Sequence, residues 1–372
     1  MKLRPFQIEE YYAKYEFTVR YMLSSSDAQS RTLAELFEFE PAAKEKLDSL
    51  WLGYTEASGA PSLRETISTL YEKTDASDLL VTAAAEEGIF VAYHALVSAE
   101  DHVIVETPCY ESALELARST GAEVSEWPRY FEDGWINDFD ALEKLVRPNT
   151  KFIYINTPSN PTGTLMDSAV LNKLMALAED HNMVVFCDEV YRELEHNPIS
   201  RLTAATDLYQ NAISLGSMSK TYGLPGLRLG WLACRNSEII EKMMHFKLYT
   251  SICNSAPSEF ICELALRHRN KLVERNLEIV HRNLPLLRDF INRNSKLFAW
   301  VEPQASPICF PKVSISGDVM DWCENIVDAT GVLLLPGNVY GQPHHVRMGY
   351  GRSNMPEALE QLENYLSQER LI

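Results

Sequence analysis

The sequence predicts an α/β protein, a large doubly wound domain around a mainly parallel sheet followed by a smaller α+β unit. Two observations carry the prediction. Between about residues 50 and 290, stretches of helical periodicity alternate with short continuous apolar runs, as expected for strands covered on both faces by helices. The stretches between those runs are also long enough for crossover helices, which parallel strands require. A chain of 372 residues allows about two domains.

Taken in order, the first forty residues contain no obvious strand for a parallel sheet, and the segment 1–45 is expected to pack against the smaller unit. The large domain is expected over 46–285, with strands at 102–106, 152–156, 184–187, 213–216 and 227–234. Its amphipathic helices are expected at 62–73, 85–97, 110–120 and 168–181. Residues 257–294, rich in Leu, Glu and Arg, read as one long helix with Pro285 as a kink or joint between domains. The small domain, 286–372, should hold strands at 298–313, 332–335 and 346–350 and helices at 319–329 and 356–367.

Composition narrows the function classes. The chain is 46% hydrophobic and 23% charged, with a formal charge of −18 and no detectable repeat. That acidity argues against a nucleic acid or an anionic membrane as partner, because both need clustered Lys and Arg. No apolar stretch of about twenty residues suggests a membrane span. The seven cysteines are scattered without a C-x-x-C pair, which reads as reduced thiols in a cytoplasmic protein. The histidines, including the adjacent His344 and His345, match no metal-binding spacing. A small-molecule substrate and no catalytic metal are expected.

Ligands of open parallel sheets gather at the carboxyl ends of strands. There the sequence places Asp188 and Tyr191 after the run 184–187, Asn160 in the turn Thr157-Pro158-Ser159-Asn160-Pro161-Thr162-Gly163, and Ser217-Met218-Ser219-Lys220 after 213–216. A lysine bracketed by apolar segments loses its proton more readily and can condense with an aldehyde. Each residue has a plainer reading: Lys220 as a surface side chain, Asp188 as a helix cap, Asn160 as the support of its own turn. Ser217 and Lys220 also match the S-x-x-K spacing of serine-lysine acyl hydrolases, although no S-D-N occurs and Thr221 is followed by Tyr222, not by the Gly of a K-T-G. As a set, an aldehyde-forming lysine, an acid for a ring nitrogen, a phenol and an amide for a ring oxygen, and hydroxyls with Arg228 for a phosphate describe a site for pyridoxal 5'-phosphate.

Ordered along the chain are Gly53-Tyr54, Leu63-Arg64-Glu65, Pro108-Cys109-Tyr110, Asn160-Pro161-Thr162-Gly163, Asp188-Glu189-Val190-Tyr191, the Ser-x-Ser-Lys segment and Val346-Arg347. With these signposts the sequence resembles the class I and II aminotransferases among the fold-type I pyridoxal-phosphate enzymes. The resemblance implies that Lys220 carries the cofactor as a Schiff base and moves the proton between substrate and cofactor, and that Asp188 pairs with the ring nitrogen. It implies Tyr191 and Asn160 on the ring oxygen, Tyr110 stacked on the ring, and Arg347 clamping the substrate carboxylate. Phosphate contacts would come from Ala84, Ala85 and Glu86 at a helix amino terminus, from Ser217, Ser219 and Arg228, and from Tyr54 of a neighbouring subunit in a homodimer. The implied substrates are an amino acid and a 2-oxo acid.

One segment departs from that pattern. Where many members carry a Gly-rich, Pro-containing stretch near the amino terminus, this chain has Ser24-Ser25-Ser26-Asp27 and then Thr32-Leu33-Ala34-Glu35-Leu36. That stretch is similar to the capreomycidine synthase group, which uses the same cofactor to cyclise a hydroxylated arginine by elimination and re-addition. A helix-capping loop is its plainer reading.

Overall fold

The computed structural model describes residues 3–371. Seven strands form the main sheet: β1 (Leu79–Thr82), β2 (His102–Thr107), β3 (Glu123–Pro128), β4 (Thr150–Asn156), β5 (Val184–Asp188), β6 (Ala212–Ser217) and β7 (Gly230–Ala233). Their spatial order is β1-β7-β6-β5-β4-β2-β3. All neighbours are parallel except β7, which runs antiparallel to both β1 and β6. The α/β fold with a mainly parallel sheet is therefore as expected.

The sequence missed two strands. β1 has only four residues, all buried, too few to show a period. β3 is an edge strand, Glu-Val-Ser-Glu-Trp-Pro, with only Trp127 fully buried, so its polar pattern resembles a loop. The expected strand 227–234 shrinks to β7 because residues Pro225–Leu227 form a 3₁₀ turn and Arg228 takes a left-handed conformation with φ 49°. The expected long helix is two, Ala256–Arg267 and Arg269–Arg293, broken at His268; Pro285 lies inside the second without ending it. Leu284 and Leu287 anchor that stretch in a buried cluster, and Asn283 donates to the carbonyls of Tyr350 and Arg352. Packing holds the helix together across the missing donor.

The carboxyl-terminal unit contains β8 (Phe298–Ala299), β9 (Ile308–Cys309), β10 (Lys312–Val313), β11 (Leu335–Pro336) and β12 (Val346–Gly349), with helices Val319–Thr330 and Met355–Gln368. Its core includes Phe290, Phe298, Ile326, Met348 and Leu362. Residues near the amino terminus bind to it through the backbone: Tyr21 bridges to Val332, and the amide of Gly349 donates to Leu23. Leu36, by contrast, packs with Leu63, Val81 and Trp231 beside the main sheet. Between those two anchorages, residues 22–29 cross over the carboxyl ends of the strands, and the amide of Ala28 donates to the Lys220 carbonyl at 3.4 Å. No helix among the described residues is long and apolar enough to cross a membrane.

Candidate active site

A cavity of about 390 Å³ opens at the carboxyl ends of β4, β5 and β6. It is lined by Ala84, Ala85, Glu86, Tyr110, Asn160, Asp188, Tyr191, Ser217, Ser219, Lys220, Arg228 and Arg347. Tyr54 is not among its walls; that residue is 85% exposed on another face.

Lys220 follows β6 and donates from Nζ to Ser26 Oγ at 2.9 Å. Burial pushes its ammonium below the ordinary lysine value, against the pull of the Asp27 and Asp188 charges. Ser217 Oγ is occupied elsewhere, donating to Ser219 Oγ at 3.1 Å and accepting from the Ser219 amide at 3.1 Å. The serine-lysine dyad thus lacks its hydrogen bond, because the lysine turns to Ser26 and the serine to Ser219.

Asp188 ends β5 and is 6% exposed. Its Oδ2 accepts from the Tyr154 phenol at 3.0 Å and its Oδ1 from the Val190 amide at 3.2 Å. Burial raises the carboxyl to about 6, with both hydrogen bonds and Lys220 acting in the opposite direction. Asn156, opposite Asp188 in register, ties the site together: its amide donates to the Asp188 carbonyl at 2.8 Å, and its Oδ1 accepts from the Asn160 amide at 2.6 Å. The turn bearing Asn160 is thereby fixed to the strand bearing Asp188.

Arg347, on β12, is 1% exposed and spends all five of its N–H groups on protein. Nε and Nη2 donate to the Ser24 carbonyl at 3.2 and 2.9 Å, Nη2 to Tyr12 Oη at 2.6 Å, and Nη1 to Asn160 Oδ1 at 3.1 Å and to Tyr340 Oη. The N–H groups of Arg347 are satisfied, but no carboxylate among these partners neutralises its charge. With Asn160 Oδ1 engaged, its amide NH₂ is the end left to donate elsewhere.

At the opposite end, the helix Ala84–Leu96 has no side-chain cap. Ala84 sits at φ 70°, which costs a residue with a β-carbon about 1–2 kcal/mol. The space around it is tight: a β-carbon at Gly230 would come within 2.9–3.0 Å of Ala84 and Ala85 backbone atoms. Free N–H groups here, with Ser217, Ser219 and the exposed Arg228, suit a phosphate. Glu86 also lines the cavity, and burial pushes its carboxyl up to about 7. Tyr110 donates to Glu9 at 2.7 Å, with its ring 5.3 Å from Phe6.

The Tyr191 hydroxyl is buried without a hydrogen-bond partner in the protein. An orphaned phenol beside a desolvated lysine, an acid and an uncapped helix fits a polar aromatic aldehyde bearing a phosphate. Sequence reasoning assigned no role to Tyr12, Tyr154 or Tyr340, and singled out the segment containing Ser26 without pairing it to Lys220. Tyr154 lies inside an apolar run, Tyr12 and Ser26 lie far in sequence from the groups they meet, and Tyr340 is seven residues from Arg347 but 180 from Asn160.

Fold and site together define an enzyme of the pyridoxal-phosphate class. Residues 23–362 match the family aminotransferase class I and II, and the chain belongs to that family; its cofactor is pyridoxal 5'-phosphate. Among curated relatives, capreomycidine synthase of Streptomyces vinaceus is 27% identical over 92% of this chain and 88% of its own. A PLP-dependent aminotransferase from Streptococcus suis superposes with a TM-score of 0.93 at 31% identity, covering 99% of both chains. The PLP-dependent cyclase OrfR superposes with a TM-score of 0.92 at 26% identity, covering 99% of this chain and 98% of its own.

Proposed function

We propose that this chain is an aminotransferase exchanging the amino group of a small amino acid with a 2-oxo acid. The observation that carries the reading is the meeting of Lys220, Asp188 and Arg347 in one cavity. When bound, the cofactor supplies an electron-withdrawing ring able to accept the electron pair left as the substrate Cα–H bond breaks. The protein supplies the rest. Arg347 would exchange its bonds to Tyr12 and Tyr340 for the substrate carboxylate and so orient Cα. Lys220, with its proton affinity lowered by burial, would carry the proton at Nζ. Asp188 as a carboxylate would hold the ring nitrogen protonated, with Tyr191 and the Asn160 amide on the ring oxygen. Ala84, Ala85, the Glu86 amide, Ser217, Ser219 and Arg228 would hold the phosphate.

The reading includes a cytoplasmic homodimer. All seven cysteines are free, and Trp51, Leu52, Tyr54 and Tyr249 are 76–91% exposed, an apolar surface suited to a second copy whose Tyr54 would reach the phosphate. Sedimentation of the purified protein tests the dimer.

A second reading, elimination and cyclisation of a hydroxylated arginine-like amino acid, is favoured by the capreomycidine synthase and OrfR similarities. It gains support from Glu9 and Glu16 on the cavity wall, two carboxyls suited to a cationic substrate, beside an Asp27 already paired with Arg352 at 3.0 Å. One experiment separates the two. The absorbance of the yellow holoenzyme is followed while amino acids, hydroxyarginine included, are added. Lasting conversion to the pyridoxamine spectrum supports transamination; turnover of hydroxyarginine without that conversion supports cyclisation.

A further inference from the structure

We infer that Tyr154 is a positioning residue for the reaction, acting through Asp188 from behind the catalytic cavity. The inference rests on the reading that Asp188 faces the cofactor's ring nitrogen. Tyr154 is fully buried and is not part of the cavity lining, which places it behind Asp188. Its hydroxyl donates to Asp188 Oδ2 at 3.0 Å.

The surroundings argue that this hydroxyl is there for Asp188. Tyr154 stacks on Phe186 at 5.6 Å and 12°, in an aromatic layer that also holds Phe152. Phenylalanine suits such a layer without a polar atom, and a buried hydroxyl is costly unless it is bonded. Burial holds the phenol far above its ordinary value, so it remains a donor. A donor that cannot lose its proton favours the carboxylate form of its partner and fixes one of its two oxygens. Of the four lone-pair positions of the carboxylate, Tyr154 and the Val190 amide use two, one on each oxygen, leaving the others for a ring N–H.

The other ionisable groups acting on or near Asp188 are Lys220 after β6, Glu86 on the helix Ala84–Leu96, Tyr191 in the following turn and Cys187 on its own strand. Burial raises Asp188 to about 6, and the Tyr154 bond opposes that rise. Without the bond, Asp188 keeps its proton to higher pH. The loss should therefore be large near pH 6.5 and small near pH 8.5.

The test uses holoenzyme with Tyr154→Phe, Asp188→Asn and the double variant, measuring pyridoxal-phosphate dissociation and kcat from pH 6 to 9, with melting temperature as the folding control. Tyr154→Phe should weaken cofactor binding roughly ten-fold at pH 6.5, recover towards wild type at pH 8.5, and lower kcat. In the Asp188→Asn background the same substitution should add little, because the group it acts through is gone. Full additivity, or a loss independent of pH, would overturn the positioning role and leave the Asp188 reading intact. If Asp188→Asn itself leaves kcat and cofactor binding unchanged, the reading of Asp188 fails and this inference with it.

Discussion

Two clefts of the molecule differ in what lines them. A groove of about 890 Å³ runs between Trp135, Leu165, Ile199 and Glu302, more than twice the volume of the cavity at Lys220. Its charged groups are already satisfied. Asp167 caps the helix Ser168–Asp180, and Arg201 pairs with Glu195 at 2.9 Å. Ile136 and Ile199 are 67% and 92% exposed, as on an ordinary surface. The smaller cavity combines a desolvated lysine, a carboxyl held near 6, a buried arginine without a carboxylate and an orphaned phenol. Volume does not locate the chemistry; desolvated groups left for a ligand to satisfy do.

The contrast can be broken most directly at Lys220. Lys220→Ala should lower kcat by roughly a thousand-fold or more, and borohydride should no longer attach cofactor to the protein, as judged by mass spectrometry. Near-normal turnover would remove the reason for preferring this cavity. Arg347→Ala should raise KM by about ten- to a hundred-fold, the worth of a charged hydrogen-bonded contact, while cofactor affinity changes little. An equal loss of cofactor would mean that the arginine serves the wrong ligand.

A smaller effect should appear in stability. Asp188 has a folded value of about 6 against an ordinary 3.8, so between those values the folded protein binds more protons than the unfolded chain. Its contribution to stability falls as pH rises through that window and is then constant. In cofactor-free protein, the stability of Asp188→Asn relative to wild type should therefore climb between pH 4 and 6 and level off, by on the order of 2 kcal/mol. Chemical denaturation at several pH values measures this, and a flat difference would mean that Asp188 is not desolvated. The smallest effect is expected in the large groove. Ile199→Ser should stay within about 0.5 kcal/mol with unchanged turnover, and a strong kinetic defect there would reverse the comparison.

Much of the site was legible because its residues sit where strands end. Asp188, Asn160 and Lys220 each follow an apolar run, and that placement is itself a signal. Tyr154 gives none, since inside a buried strand a tyrosine cannot be distinguished from a phenylalanine by pattern. The strand β1 was too short to read, and the reversed direction of β7 is set by its neighbours, not by its residues. The helix runs on through Pro285 for a related reason, because the packing of Leu284 and Leu287 outweighs the local propensity to break.

By itself the sequence determined the fold class, the family and the lysine proposed to start the chemistry, since burial periodicity and short motifs are local properties of the chain. Only the tertiary structure decided that Lys220 meets Ser26, that Arg347 is held by Tyr12, Tyr340 and the Ser24 carbonyl, and that Tyr154 supports Asp188. Those partners lie up to 335 residues apart. Desolvation and hydrogen bonding depend on what the fold brings within about 3 Å, and no local pattern records it.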